Sequence, residues 1–230
     1  MTAERRRAAF FDVDETLITA KSMLAFLAYW LAAGGDDGRA YRRAVDTLLA
    51  LAGRGMSREL VNRAYYRQYA GAAATAVRAA GRAWYTDYRE RPDAFVAATL
   101  RALQDHRAAG DHVVLVSGSF DACLTPLAED LDADQVLCSD PLLAEDGTYT
   151  GETGTPMIGQ AKARAVAKTV ADFGLVAGEC FGYGDHSSDL PMLTALGHPV
   201  VVGSDRVLSE HAQEQGWPML PQTGGGRRET

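Results

Sequence analysis

The sequence predicts an α/β fold with a mostly parallel sheet and an inserted all-helical lobe. Three observations predict it. Short apolar runs alternate with helical periodicity through the second half of the chain, as strand–helix–strand units do. A long, almost wholly helical block follows the first apolar run directly. That first run, "AAFFDVDETLI" at residues 8–18, passes from two phenylalanines straight into Asp12 and Asp14, as a buried strand does when its carboxyl end opens on a ligand.

In chain order, residues 8–13 read as a strand, short, rich in Phe and without helical period. "SMLAFLAYWLAAGG" reads as a helix buried nearly all round; it is too short for the roughly 20 residues that cross a bilayer. "YRRAVDTLLALAG" carries a stripe of Tyr41, Ala44, Val45, Leu48, Leu49 and Ala52, and "SRELVNRAYYRQYA" begins with Ser57 as an N-cap. A further amphipathic helix is expected from Pro92 to Gly110. "DHVVLVSGS" and "ADQVLCSDP" read as strands, and "LLAEDGTYTGE" as a hairpin turning at Asp146-Gly147. "GQAKARAVAKTVADFG" is helical, "ECFGYGD" and "HPVVVGS" are strands, and the glycine-rich end is read as a tail without fixed structure. The expected division is a discontinuous core of 1–19 and 103–221, a helical lobe of 20–102 and a disordered tail of 222–230.

Composition narrows the function. The 230 residues include 30 acids and 23 Lys or Arg, a net charge of −7, which argues against nucleic acid as a partner. The three cysteines are scattered, with no CxxC, so neither a disulfide framework nor a zinc knuckle is implied. Met1–Arg7 is basic, but the apolar run after it breaks at Asp12, so no export signal or stable membrane insertion is read and a cytoplasmic monomer or homodimer is expected.

The polar residues at the strand ends share a chemistry. Asp12 and Asp14 follow the first strand, Ser117-Gly118-Ser119 the second, and Asp185 follows "CFGYG", with Asp189 one turn later; Lys162 lies in the helix between. Clustered carboxylates repel unless a cation sits among them. Oxygen ligands without a His or Cys cluster point to a hard cation, Mg2+, which suits phosphate chemistry. A carboxylate can attack phosphorus, while a hydroxyl, loop N–H groups and a lysine hold the phosphoryl oxygens.

"FFDVDETL", "VVLVSGS", Lys162 in "GQAKARAV" and "GYGDHSSD" resemble, in order, the four motifs of the haloacid dehalogenase superfamily. The helical insert after the first motif resembles the C1 cap of its phosphoserine-phosphatase-like branch. The resemblance implies a three-layer Rossmann-like core and a Mg2+-dependent phosphomonoesterase acting on a small organic phosphate through an aspartyl-phosphate. It implies Asp12 as nucleophile and metal ligand. Asp14 is implied as general acid/base, with its backbone carbonyl on the metal. Ser117 and the Gly118 N–H hold phosphate, Lys162 neutralises Asp12 and binds the phosphoryl group, and Asp185 is the acidic metal ligand. Asp189 orients Lys162 or a metal-bound water, and Thr16 shapes the loop. An acid at Asp14 implies a phosphatase or mutase rather than the family's dehalogenases, phosphonatases or transport ATPases. A phosphotransferase or mutase with a non-water acceptor is the alternative.

The sequence departs from phosphoserine phosphatases at Lys21, where they carry a glutamate that pairs with the substrate ammonium. Lysine offers donors only and repels an ammonium, so a substrate other than phosphoserine is expected, with Lys21 as a selectivity candidate. His186 is read as a rim residue, and the tyrosines of the lobe as core rather than substrate platform.

Overall fold

The computed structural model describes residues 7–222. The chain runs β1 (Ala8–Phe11), then α1 (Ser22–Ala33), α2 (Arg39–Gly53), α3 (Arg58–Tyr66) and α4 (Ala74–Arg89). It continues through α5 (Ala97–Ala108), β2 (His112–Ser117), α6 (Asp121–Leu131), β3 (Gln135–Cys138) and the pair β4 (Pro141–Leu143) and β5 (Tyr149–Thr153). Last come α7 (Gln160–Asp172), β6 (Phe181–Gly184), α8 (Leu190–Leu193), β7 (His198–Val202), α9 (Arg206–Gln215) and β8 (Met219–Leu220).

Six strands form one sheet in the order β3-β2-β1-β6-β7-β8, every pairing parallel. A parallel strand covered on both faces must be apolar at every position, and β1 is fully buried along its length. Alternate residues serve opposite faces. Phe11 joins the cluster with Leu103 of α5 and Leu124 and Leu127 of α6, while Phe10 joins that with Val166 of α7, Met192 and Leu193 of α8 and Leu208 of α9. The result is the three-layer α/β architecture expected. β1 pairs with β2 on one side and β6 on the other, so the carboxyl ends of all three lie side by side, and the chain's direction across the sheet reverses at β1.

The helical lobe is reached and left by two adjacent crossings. Thr19 N–H donates to the Ala94 carbonyl at 3.0 Å and Val96 N–H to the Leu17 carbonyl at 3.0 Å, with an antiparallel bridge between Ile18 and Phe95. This pairing holds residues 94–96 extended, so α5 begins at Ala97 and not at Pro92 as expected, and residue 102 falls within it. Ser57 caps α3 as expected, accepting from Leu60 N–H. The 22–35 helix is less buried than expected: Ser22, Phe26 and Leu27 are buried, but most of α1 is half-buried and its last turn exposed, because its neighbours α2, α4 and α6 leave one side open. Among the described residues no helix is long and apolar enough to cross a membrane.

An aromatic cluster ties lobe to sheet. Phe120, just past the β2 end, meets Tyr66 at 5.5 Å and Tyr69 at 5.4 Å between ring centres, and Tyr65 and Tyr69 share a 2.6 Å hydrogen bond. Tyr65, Tyr66, Tyr69 and Tyr85, with Trp84, are therefore core, as expected. β4 and β5 form the antiparallel hairpin expected, turning at Gly147 with φ +78°. Of the tail expected for 222–230, Gln222 is instead held: its Nε2–H donates to the Glu15 carbonyl at 2.9 Å, and the remainder lies outside the described residues.

Candidate active site

The β1 end sets the first two acids. Asp12 N–H donates to the Tyr183 carbonyl of β6 at 2.9 Å, which keeps Asp12 in line with the sheet. The chain then turns tightly, with the N–H groups of Thr16, Leu17 and Ile18 converging on the Val13 carbonyl. Glu15 takes the left-handed conformation, φ 60°, rare for a residue with a side chain, and Gln222 secures its carbonyl.

The other ends close around this turn. Lys162, in the first turn of α7, is buried and forms ion pairs with Asp12 and, at 2.7 Å, with Asp189 Oδ1. Burial by itself would lower the lysine ammonium, but Asp12 and Asp189 outweigh it and hold the ammonium above its ordinary value. Thr16 Oγ1–H lies within reach of Asp12 Oδ2 at 3.2 Å and Asp185 Oδ1 at 3.0 Å. Asp189 Oδ2 accepts from His186 N–H at 3.2 Å, and Gly184 lacks the Cβ that would stand 2.8 Å from the Asp189 Cβ. A side chain there would displace the acid from the lysine.

The Ser117-Gly118-Ser119 loop is held from behind. The Gly118 carbonyl receives Asn62 Nδ2–H at 2.9 Å, Ser139 Oγ–H at 2.9 Å and Tyr66 O–H at 3.2 Å. Ser119 N–H donates to Ser117 Oγ at 3.1 Å, which leaves the Ser117 hydroxyl proton to point elsewhere. A Cβ at Gly118 would come within 3.1 Å of Ile158. Ser22, opening α1, donates to Ser119 Oγ at 2.9 Å and so anchors the lobe to the same loop.

Asp12, Asp14, Ser117, Gly118, Lys162, Asp185 and Asp189 all line one cavity of about 460 Å3. Lys21 stands at its rim, 60% exposed and 3.2 Å from Glu15, and Thr16 supports its floor. The structure thus brings together every residue that the sequence singled out. Asn62 and Arg58, from the helical lobe, also line the cavity; Arg58 is one of several arginines that the sequence offers in the lobe without singling one out, and nothing in the spacing of an amphipathic helix marked Asn62.

The cavity is an acid cluster. Carboxylate oxygens of Asp12, Asp185 and Asp189 come within 4.8 Å of one another. Burial, then the charges of Asp12 and Asp189, push the Asp185 carboxyl up to about 9. Burial pushes Asp14 up to about 7, and its Oδ1 is buried without a partner among the described residues. Among the described residues Lys162 is the cation paired with these acids, and it answers only Asp12 and Asp189; Lys21 is paired with Glu15 at the rim. An oxygen-only donor set with surplus charge fits a hard divalent cation.

Comparison with known proteins agrees with this fold. The family model for haloacid dehalogenase-like hydrolases matches residues 9–194, and the chain belongs to that family. Its enzyme class is that of a phosphatase. A probable phosphatase of Mycobacterium tuberculosis is 34% identical over 223 residues, covering 95% of this chain and 77% of that protein. A crystal structure of a Bordetella pertussis protein of unknown function superposes with a TM-score of 0.84 at 27% identity, covering 95% and 99% of the two chains. A substrate-bound phosphoserine phosphatase shares the fold, with a TM-score of 0.67 at 18% identity over 95% and 93%.

Proposed function

We propose that this chain is a Mg2+-dependent phosphomonoesterase that cleaves a small organic phosphate through a phosphorylated Asp12. The observation that carries the reading is the pairing of two unlike acids in one cavity: Asp12, ion-paired to Lys162, and Asp14, whose carboxyl is pushed up to about 7. An acid poised near neutral pH can give a proton and take it back.

Asp12 attacks phosphorus as the bond from phosphorus to the ester oxygen breaks, and Asp14 donates its proton to that departing oxygen. A water then attacks the phosphorylated Asp12, its proton passing to Asp14, and the bond from phosphorus to the Asp12 oxygen breaks to release phosphate. Lys162 pairs with Asp12 and offers a positive charge to the phosphoryl oxygens. The hydroxyl proton of Ser117 and the N–H of Gly118 hold those oxygens, and the donors on the Gly118 carbonyl fix the loop that presents them. Asp12, Asp185 and the Asp14 backbone carbonyl would hold Mg2+, with Asp189 held back by Lys162 and His186. When bound, the ion supplies charge neutralisation for the phosphoryl group. Thr16 steadies Asp12 and Asp185 from below.

Lys21 at the rim carries the charge that would repel an ammonium, so phosphoserine is a poor substrate in this reading. The test is phosphate release from p-nitrophenyl phosphate with Mg2+ and with EDTA, for the wild type and Asp12→Asn. Turnover that needs Mg2+ and falls by at least about 10³-fold in the variant is expected. Undiminished turnover in Asp12→Asn would overturn the reading, and a strong preference for phosphoserine would remove the role given to Lys21.

A further inference from the structure

A second cavity opens directly off the first, and its walls are of another kind. It holds about 270 Å3 between α1, α2 and α3, lined by Leu24, Leu48, Leu49, Ala52, Met56 and Val61, among others. The two cavities share eight residues, among them Asp14, Met23, Asn62 and the cations Lys21 and Arg58, so they form one continuous space with an acidic end and an apolar end. Leu49 is 63% exposed and Met56 41%, which leaves large apolar side chains facing water at the mouth of the site. Exposed apolar surface of this kind, continuous with a polar centre, marks a ligand-binding groove.

The position of Asp14 gives the groove its direction. Among Asp12, Asp14, Asp185 and Asp189, only Asp14 lines both cavities. In the phosphatase reading, on which this inference rests, Asp14 protonates the departing oxygen. The organic part of the ester therefore starts beside Asp14, and the phosphoryl group occupies the opposite side, at Asp12, Ser117 and Lys162. Past Lys21 and Arg58, which line both cavities, the walls that belong to the second cavity alone are Leu24, Leu48, Leu49, Met56 and Tyr65. A sugar or an amino acid would leave its hydroxyl or ammonium groups unpaired there, at a cost. We propose that the groove takes the apolar leaving group of an alkyl or aryl phosphate monoester, and that Leu49 and Met56 set that specificity.

Two measurements test this. The first is phosphate release from methyl, butyl, hexyl and glycerol phosphates. Burial of each methylene is expected to raise kcat/KM about twofold to fourfold over the first several carbons. Glycerol phosphate should rank below butyl phosphate. The second is calorimetric binding of hexylphosphonate against methylphosphonate, which turnover does not affect; hexylphosphonate should bind at least about tenfold more tightly. The double variant Leu49→Ser, Met56→Ser should flatten both dependences, whereas Val207→Ser, an exposed apolar residue on α9, should leave them unchanged. Equal binding of the two phosphonates, or a chain-length dependence that survives the double variant, would overturn the groove. Tight hexylphosphonate binding without phosphate release from any ester would instead uphold the groove and overturn the phosphatase reading.

Discussion

Lys162 is buried between Asp12 and Asp189, and its worth depends on what each would do without it. Taking a charge out of water costs several kcal/mol unless a partner answers it. Replacing the lysine with an apolar side chain of similar length leaves Asp12, Asp185 and Asp189 facing one another alone. Lys162→Met is expected to cost about 3–5 kcal/mol in the metal-free protein, and to abolish phosphate release. In thermal melts, added Mg2+ should recover more of the loss in this variant than it adds to the wild type. A variant as stable as the wild type without metal would mean that the acids of the cavity are already protonated.

The packing of elements decides a different question, how the lobe stays on the core. α4 lies against α6 so closely that a Cβ on Gly81 would stand 1.9 Å from the Ala122 carbonyl oxygen. Helix propensity predicts that Gly81→Ala stabilises by about 1 kcal/mol. The contact predicts the opposite sign, because backbone must move: a loss of about 1–3 kcal/mol or more. A melt of the single variant separates the two. A rise in Tm would show that α4 and α6 can part without cost. Arg78 and Arg82 of α4 add ion pairs to Asp121 and Glu129 of α6, but these are exposed and contribute little. Asp121, the first residue of α6, is the partner of Arg78.

For the molecule as a whole, the acid cluster links stability to pH. The Asp185 carboxyl titrates near 9 in the folded protein, against an ordinary value of 3.8. Between those values the folded protein holds a proton that the unfolded chain has released. Stability from this group is therefore full at low pH and is lost as pH rises through that window. Asp14, at about 7, acts with the same sign up to neutral pH. The metal-free protein is expected to melt a few degrees lower at pH 8.5 than at pH 6, and Asp185→Asn should reduce the slope. A Tm independent of pH across that range would show that a cation other than a proton already answers the charge.

The fold class was legible in the sequence, because a buried parallel strand and an amphipathic helix each leave a periodic trace. It also marked Asp12, Asp14, Ser117, Gly118 and Asp185, since polar residues at the ends of apolar strands are out of place unless a ligand lies there, and Lys162 and Asp189 through the order of motifs that carries the family resemblance. The start of α5 was not legible, because the pairing of residues 94–96 with 17–19 is made between segments far apart in the chain. Asn62 was hidden for the same reason: a single amide in α3 carries no signal until folding brings it to Gly118. It took the folded arrangement to show that Leu49, an ordinary member of a helical stripe, and Met56, in the loop between α2 and α3, stay exposed and line an apolar space next to an acidic one. Local spacing fixes which face of a helix is apolar; what that face meets depends on how the helices are set against the sheet.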